Sequence, residues 1–288
     1  MAPATINPGR REGPLLIAGR IALFVIALVV GLSFFIPFLW QVLMSISQVA
    51  DVDLLTRTIT PPEANWDNYP RVFNHEQIEF GRYFFNSFFV AGWVTIIQVI
   101  TCSMAAYAFS RLRWPGRDKV FLAYLGTLMV PGVVLMVPTY AIVRYLGMFN
   151  DYTGLIVPVS FTAYGTFLLR QFMLTIPSSL EEAASIDGAG HWRIYSQIIL
   201  PLARPGIIVM AIFAFLFNYN AFFWPLIIVK DENLRTLPIG LLAFNTSYGQ
   251  ETPLIMAASL MAMIPPVIIF IVLQKYLVRG IQLGAVKG

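Results

Sequence analysis

Few side chains in this 288-residue sequence are of a kind that does chemistry, and they fall into two groups. One is acidic and compact: Glu181, Glu182 and Asp187 stand beside Ala183, Ala184 and Gly188. Carboxylates next to a surface of so little bulk suit insertion into a groove of another protein, and a solvated connector is the other reading. The second group is neutral: Asn218, Tyr219, Asn220 and Trp224. Amides donate to and accept from hydroxyls, and aromatic faces stack on apolar ring faces, so this set suits a polar, uncharged solute. Interhelical hydrogen bonding is the competing use of such residues. Asn218, Tyr219 and Asn220 cannot share one helix face, so at most two line a common path. Cys102 is alone, His75 and His191 are far apart, and no HExxH or CxxC occurs, so neither a metal site nor a catalytic set is expected. Without GxxxxGK[ST], no ATP site is expected on this chain either.

The elements that hold these groups are membrane spans. Of the residues, 58% are hydrophobic and 12% charged, well outside the usual soluble composition. A crossing needs about 20 apolar residues, and six stretches serve: Ile21–Leu43, Phe84–Phe109, Val120–Ile142, Leu155–Leu169, Gly206–Val229 and Leu254–Leu273. None contains Asp, Glu, Lys, Arg or His. The first is too long for a secretory signal and has no small-residue cleavage site, so it is expected to stay in the mature protein. Of the 19 Lys and Arg residues, thirteen fall in the N-terminal arm, 110–119, 170–205 and the C-terminal tail. That side is expected to be cytoplasmic, with both termini inside. An all-α, polytopic bundle of six transmembrane helices follows. Prolines in most spans suggest a conduit whose freed carbonyls find other partners. Uncharged spans argue against a proton relay or charged-ring channel.

Between spans four and five, Pro177 stops the preceding helix. Ser178 with Glu181, and Ser179 with Glu182, fit capping boxes that start a new one. Gly188 or Gly190 ends it in a left-handed turn. A second helix is expected from His191 to Ile199, closed by Pro201. The first helix is too short to be stable alone in water. The loop of residues 46–82, acidic and carrying Asp51, Asp53 and Trp66, would receive a soluble partner together with 230–253, or serve as a lid.

Glu182-Ala183-Ala184, then Gly188, Ile198, Leu200 and Pro201, stand at the spacing EAA-x3-G-x9-I-x-LP. This resembles the EAA motif of membrane subunits of binding-protein-dependent ABC importers. Ala105-Ala-Tyr-Ala-Phe-Ser-Arg111 with Trp114-Pro-Gly116, and Asn218-Tyr-Asn-Ala-Phe-Phe-Trp-Pro225, resemble further parts of that family. The ending from Gln274 is similar to carbohydrate permeases, specifically the shorter partner of maltose-type transporters. Asn220-Ala221 departs from the usual Asn-Glu and leaves that part of the pore uncharged. The resemblance implies a type I importer permease fold: an arm over 1–20, a permease domain over 21–273 with coupling helices at about 178–200, and a tail over 274–288. It implies that Glu181, Glu182, Ala183, Ala184, Asp187 and Gly188 engage a cytoplasmic ATPase, with Glu182 facing its basic residues. Gly284, Ala285, Val286, Lys287 and Gly288 would also reach the ATPase; anionic lipid is the other partner open to Arg279 and Lys287. It further implies a second permease subunit as heterodimer partner, two ATPase subunits carrying ATP and Mg, an extracytoplasmic solute-binding protein, inner-membrane residence, and no cofactor or nucleic acid on this chain. The expected solute is a sugar or oligosaccharide. A polyol or glycerol-phosphate ester, or an autonomous carrier or channel for a neutral polar solute, are the alternatives.

Overall fold

The computed structural model describes residues 14–48, 64–76, 78–246 and 252–285. Asp51, Asp53, Val286, Lys287 and Gly288, read above as surface or tail residues, lie outside them. All regular structure among the described residues is helical. Helices α1 (Pro14–Ser33) and α2 (Ile36–Ser45) make the first crossing. Helix α3 (Asn68–Phe73) is short and is tied to the end of α2, where Asn68 Nδ2 donates to the carbonyls of Ser45 and Ser47 at 2.9 and 3.0 Å. Helix α4 (Phe80–Arg111) runs unbroken for 32 residues, about 48 Å at 1.5 Å per residue, and so outreaches the hydrocarbon core.

The middle crossings are bent. Helix α5 (Arg117–Gly126), prolonged by a 3-10 turn to Met129, meets α6 (Gly132–Tyr145) at 99°. Helix α7 (Tyr152–Ile156), prolonged to Val159, meets α8 (Ala163–Leu174) at 45°. Beyond α9 (Ser179–Ile186), a segment over His191–Leu202 contains α10 (His191–Ile194) and α11 (Leu200–Leu202) and meets α12 (Arg204–Tyr219) at 76°. Helices α13 (Phe223–Ile228), α14 (Leu237–Thr246) and α15 (Thr252–Ala285) complete the chain. Among the described residues three stretches, Ala18–Ser45, Phe80–Arg111 and Thr252–Lys275, are long and apolar enough to cross a membrane unbroken, and the count reaches up to six if each bent pair is one span.

The expected fifth span, Gly206–Val229, is therefore not one helix. It stops at Tyr219 and restarts at Phe223. Pro225 has no N–H for the carbonyl four residues back, but sits without cost in the first turn of a new helix. The same logic explains two partners far apart in sequence. Pro158 leaves the carbonyl of Gly154 without its helical donor, and the Trp224 indole N–H donates to it at 3.0 Å. Pro266 does the same to Ala262, whose carbonyl accepts from the Tyr219 hydroxyl at 3.1 Å. The break between α7 and α8 is served from α4: Gln98 donates to Val159 O at 2.6 Å, Thr101 to Ser160 O at 3.3 Å and Cys102 to Thr162 O at 3.4 Å.

Helix α4 lies at the centre of the packing. One apolar cluster at its start holds Phe80, Tyr83, Tyr219, Leu237 and Leu254. A second, at its far end, holds Cys102, Ala106, Tyr107, Met173, Ile194 and Tyr195. Helix α14 approaches α4 through Gly240, where an added Cβ would lie 2.2 Å from a ring carbon of the buried Tyr83. Gly240→Ala should therefore cost about 1–3 kcal/mol and lower the melting temperature of the protein in detergent. Gly92→Ala, in open space on α4, should not. Equal melting temperatures would show that α14 is not seated against Tyr83.

Candidate functional site

The acidic group forms the helix expected of it, by a different start. Ser178 already has helical backbone angles and its side chain makes no cap bond. The capping boxes therefore do not form. Glu181 is drawn instead to Arg111, the last residue of α4, with Nη1 and Oε1 3.0 Å apart. The helix dipole still favours Glu181 and Glu182 in the first turn of α9. Its end is as read: Gly188 takes φ +78°, and Ala189 N–H donates to Ala184 O at 2.9 Å, the pairing that closes a helix through a left-handed residue.

The second helix differs from expectation. It widens to a π-helix over Tyr195–Ile199 and continues through Leu202, so Pro201 lies inside it and the chain turns at Ala203. Pro201 has no N–H for the carbonyl of Gln197, and a wider turn just before it is one way to accommodate that loss.

Two faces result. Glu182, Ala183, Asp187 and Gly188 are exposed, and Ala184 is half-buried. Ile186 is 87% and Trp192 68% exposed beside them, large apolar side chains that the acidic pattern had overshadowed. The outward side of α9 and α10 thus combines exposed apolar side chains with the carboxylates of Glu182 and Asp187. Inward, Glu181 and Arg111 are nearly buried, their side chains 17% and 8% exposed. Arg111 also donates to Ile176 O at 2.7 Å, just past the end of α8, and to Met173 O in its last turn. Arg170 of α8 returns the tie by donating to Phe109 O at 3.2 Å. Arg111 entered the sequence reading only as the end of a family-like stretch, and nothing local sets it apart from Arg113 and Arg117.

The neutral group separates. Tyr219 and Asn220 line a cavity of about 340 Å³ between α12, α14 and α15, with Pro238, Ser259, Met263 and Pro266 among its other walls. No lining residue is charged. Asn218 is buried, and its amide donates to Ala214 O of its own helix at 2.7 Å. Trp224 points elsewhere, to Gly154 as described. At the opposite end of α4 from α9, Asn86 donates to Asn233 O and Arg235 O at 2.8 and 2.9 Å and accepts from the Tyr152 hydroxyl at 2.7 Å. Asn150 Oδ1 accepts from the N–H groups of Lys230 and Asp231. The segment before α14 is thus pinned to the bundle. Of the tail, Gly284 and Ala285 form the last residues of α15.

With this geometry in hand, residues 15–283 match the family described as binding-protein-dependent transport system inner membrane component, and the chain belongs to it. It is a multi-pass inner-membrane transport component. It is 32% identical over 280 residues to the arabinooligosaccharides transport system permease protein AraQ of Bacillus subtilis strain 168, covering 96% of this chain and 99% of that one. It is 33% identical over 273 residues to the trehalose/maltose transport system permease protein MalG of Thermococcus litoralis, covering 93% and 97%. Over 230 residues it is 34% identical to the sn-glycerol-3-phosphate transport system permease protein UgpE of Yersinia enterocolitica, covering 78% and 82%. A chain from a crystal structure of a bacterial ABC transporter involved in import of the acidic polysaccharide alginate superposes with a TM-score of 0.77 at 27% identity, covering 90% of this chain and 97% of that one. The permease fold read from the EAA spacing holds.

Burial pushes the Glu181 carboxyl above the usual glutamate range, against the pull of Arg111 and His191. The folded state then holds this proton more tightly than the unfolded chain. Stability should fall as pH rises from the ordinary glutamate value through the raised one, and be level above it. Melting curves over about pH 4–7 should show this slope in the parent protein and a flatter one in Glu181→Gln. Equal slopes would mean that Glu181 is solvated.

Proposed function

We propose that this chain is one half of the transmembrane pathway of an ATP-driven importer of neutral carbohydrate, paired with a second permease subunit. Two cytoplasmic ATPase subunits would bind ATP and Mg and supply the energy. A solute-binding protein on the opposite side would deliver the sugar. Both termini and α9 lie on the ATPase side in this reading, as the distribution of Lys and Arg favours.

The observation that carries it is the outward face of α9. Glu182, Ala183, Asp187 and Gly188 are exposed together with the large apolar side chains of Ile186 and Trp192, while Ile194, Tyr195 and Ile199 pack against the bundle. An exposed apolar patch with an acidic rim on a protein surface marks a partner site. A basic-rimmed cleft on the ATPase would complement it. Movement of that cleft would displace α9 and α10 and bias the bundle between inward-facing and outward-facing forms. This chain contributes contact surface and transmission, with the hydrolytic chemistry on its partners.

For the solute, the uncharged cavity beside Tyr219 and Asn220 favours a neutral sugar over a phosphate ester, because burying an unpaired phosphate among such walls is costly. The sugar-transport names of AraQ and MalG support the same class. The Asn220 side chain, exposed beside the cavity, is the group on this chain best placed to meet a hydroxyl.

The docking half is tested at Gly188. An added Cβ meets nothing within 4 Å, but the backbone sits at φ +78°, where a side chain costs about 1–2 kcal/mol. Gly188→Val and Glu182→Arg should each lower ATPase recovery on co-purification by about 5–30-fold, with membrane insertion intact in both; permease melting should be unchanged in Glu182→Arg and lowered only by the local strain in Gly188→Val. Full recovery in both would overturn the docking face. The transport half is tested in proteoliposomes: uptake of neutral oligosaccharides should require hydrolysable ATP and the binding protein. Uptake of glycerol 3-phosphate in place of sugars, or uptake without ATP, would assign the complex to another class.

A further inference from the structure

Three side chains on α4 recur at four-residue spacing and all reach the coupling segment. The Ser103 and Tyr195 hydroxyls are 2.8 Å apart. The Tyr107 hydroxyl donates to His191 O at 3.3 Å. Arg111 holds Glu181 at 3.0 Å. Positions four apart lie above one another on a helix, so this is one polar stripe facing an otherwise apolar seam. Ser103, Tyr107 and Tyr195 are buried, exposed by 2, 6 and 6%. The stripe meets both coupling helices, since Glu181 belongs to α9 while His191 and Tyr195 belong to α10 and its π-helical extension. The other end of α4 is also bonded: Asn86 holds the segment at Asn233 and Arg235, and Ser87 Oγ accepts from the Leu237 N–H at 2.7 Å. No break interrupts the helix between these ends.

We propose that Ser103, Tyr107 and Arg111 are positioning residues that clamp both coupling helices to α4, so that a push on Glu182, Ala183 and Gly188 reaches Asn86 and the far loop as rigid-body movement of this one helix. The proposal rests on the docking reading above and adds the path by which docking reaches the opposite face. Burial and direction both support it. The Ser103–Tyr195 contact is buried and the Arg111–Glu181 pair nearly so, and polar contacts shielded from water are stronger than those at a surface. Sliding α9 or α10 along α4 breaks the stripe, parts the Glu181 carboxylate from its cation and leaves the Tyr107 and Tyr195 hydroxyls without these partners in an apolar seam.

The test uses the full complex, co-purified with its permease partner and ATPase. Spin labels are placed at Phe85→Cys, on the exposed side of the far end of α4, and at Gln197→Cys, in a Cys102→Ser background. A clamped rod gives one distance, equal in the nucleotide-free and vanadate-trapped states. Arg111→Gln combined with Tyr107→Phe should broaden that distance and make it nucleotide-dependent. In the same variant, unlabelled, stimulation of ATPase activity by the solute-loaded binding protein should fall on the order of tenfold, with the ATPase still bound. A purely structural role would lower yield and melting temperature and leave the distance and stimulation of surviving complexes unchanged, which would overturn the proposal. A nucleotide-dependent distance in the parent chain would overturn it equally. Should the double variant not assemble, Tyr195→Phe, which removes one oxygen from the stripe, is read by the same two criteria. Absence of ATPase from the unlabelled parent complex is seen before any label is read, and defeats the docking reading together with what rests on it.

Discussion

Inside a bilayer, a backbone carbonyl that loses its helical N–H has no water to turn to. This chain creates many such carbonyls, through prolines and through the bends of its middle crossings. A set of its long-range polar contacts goes to them. The Trp224 indole serves Gly154, the Tyr219 hydroxyl serves Ala262, and Gln98, Thr101 and Cys102 serve the break at 159–162. Arg111 serves the carbonyls of Met173 and Ile176 at and past the end of α8. Two of the four residues that look like candidates for solute chemistry, Tyr219 and Trp224, are thereby committed to holding broken helices in place.

Helix α4 gains its central position from the same constraint. A helix that keeps all its own backbone bonds has its side chains free to satisfy its neighbours, and α4 does so along much of its length. Four of its side chains, Gln98, Thr101, Cys102 and Arg111, donate to carbonyls at or beyond the ends of α7 and α8. A bundle of bent helices around one straight, well-bonded helix can change shape at the bends without unpicking the centre, which is the geometry a conduit with two open ends requires. The cavity at Tyr219 and Asn220 lies where α12 ends and the chain breaks before α13, beside the proline pair of α15.

The crossings and the two coupling helices were legible because their signals are local. Long uncharged stretches mark spans, and Gly188 marks a left-handed helix end. Pairings across the fold were not. Ser178 and Glu181 have the spacing of a capping box, but the carboxylate goes to a cation 70 positions earlier in the chain. Trp224 carries every mark of a sugar-stacking residue, and only the position of Pro158 in space shows what it does. The bends were half legible: prolines announced that spans would break, whereas the angles of 45–99° are set by packing. The exposure of Ile186 and Trp192 is likewise a property of how α9 and α10 lie down, and the apolar pattern alone would have buried them.

The residue at position 111 has reason to be arginine. Its guanidinium must reach a carboxylate on α9 and two carbonyls around the end of α8 at once, from the end of a third helix. A planar fork with five donors can hold those directions together, whereas an ammonium is a single point of charge with no fixed fork. Such a buried pair adds little net stability, because desolvation of both ions offsets most of their attraction. Its effect is on alternatives. Any arrangement in which α9 slips along α4 leaves Glu181 and Arg111 buried and apart, at a cost the native register avoids. The pair therefore selects one placement of the coupling helix among several that the small side chains of α9 would sterically permit, and a helix meant to transmit force needs that selection more than it needs added stability.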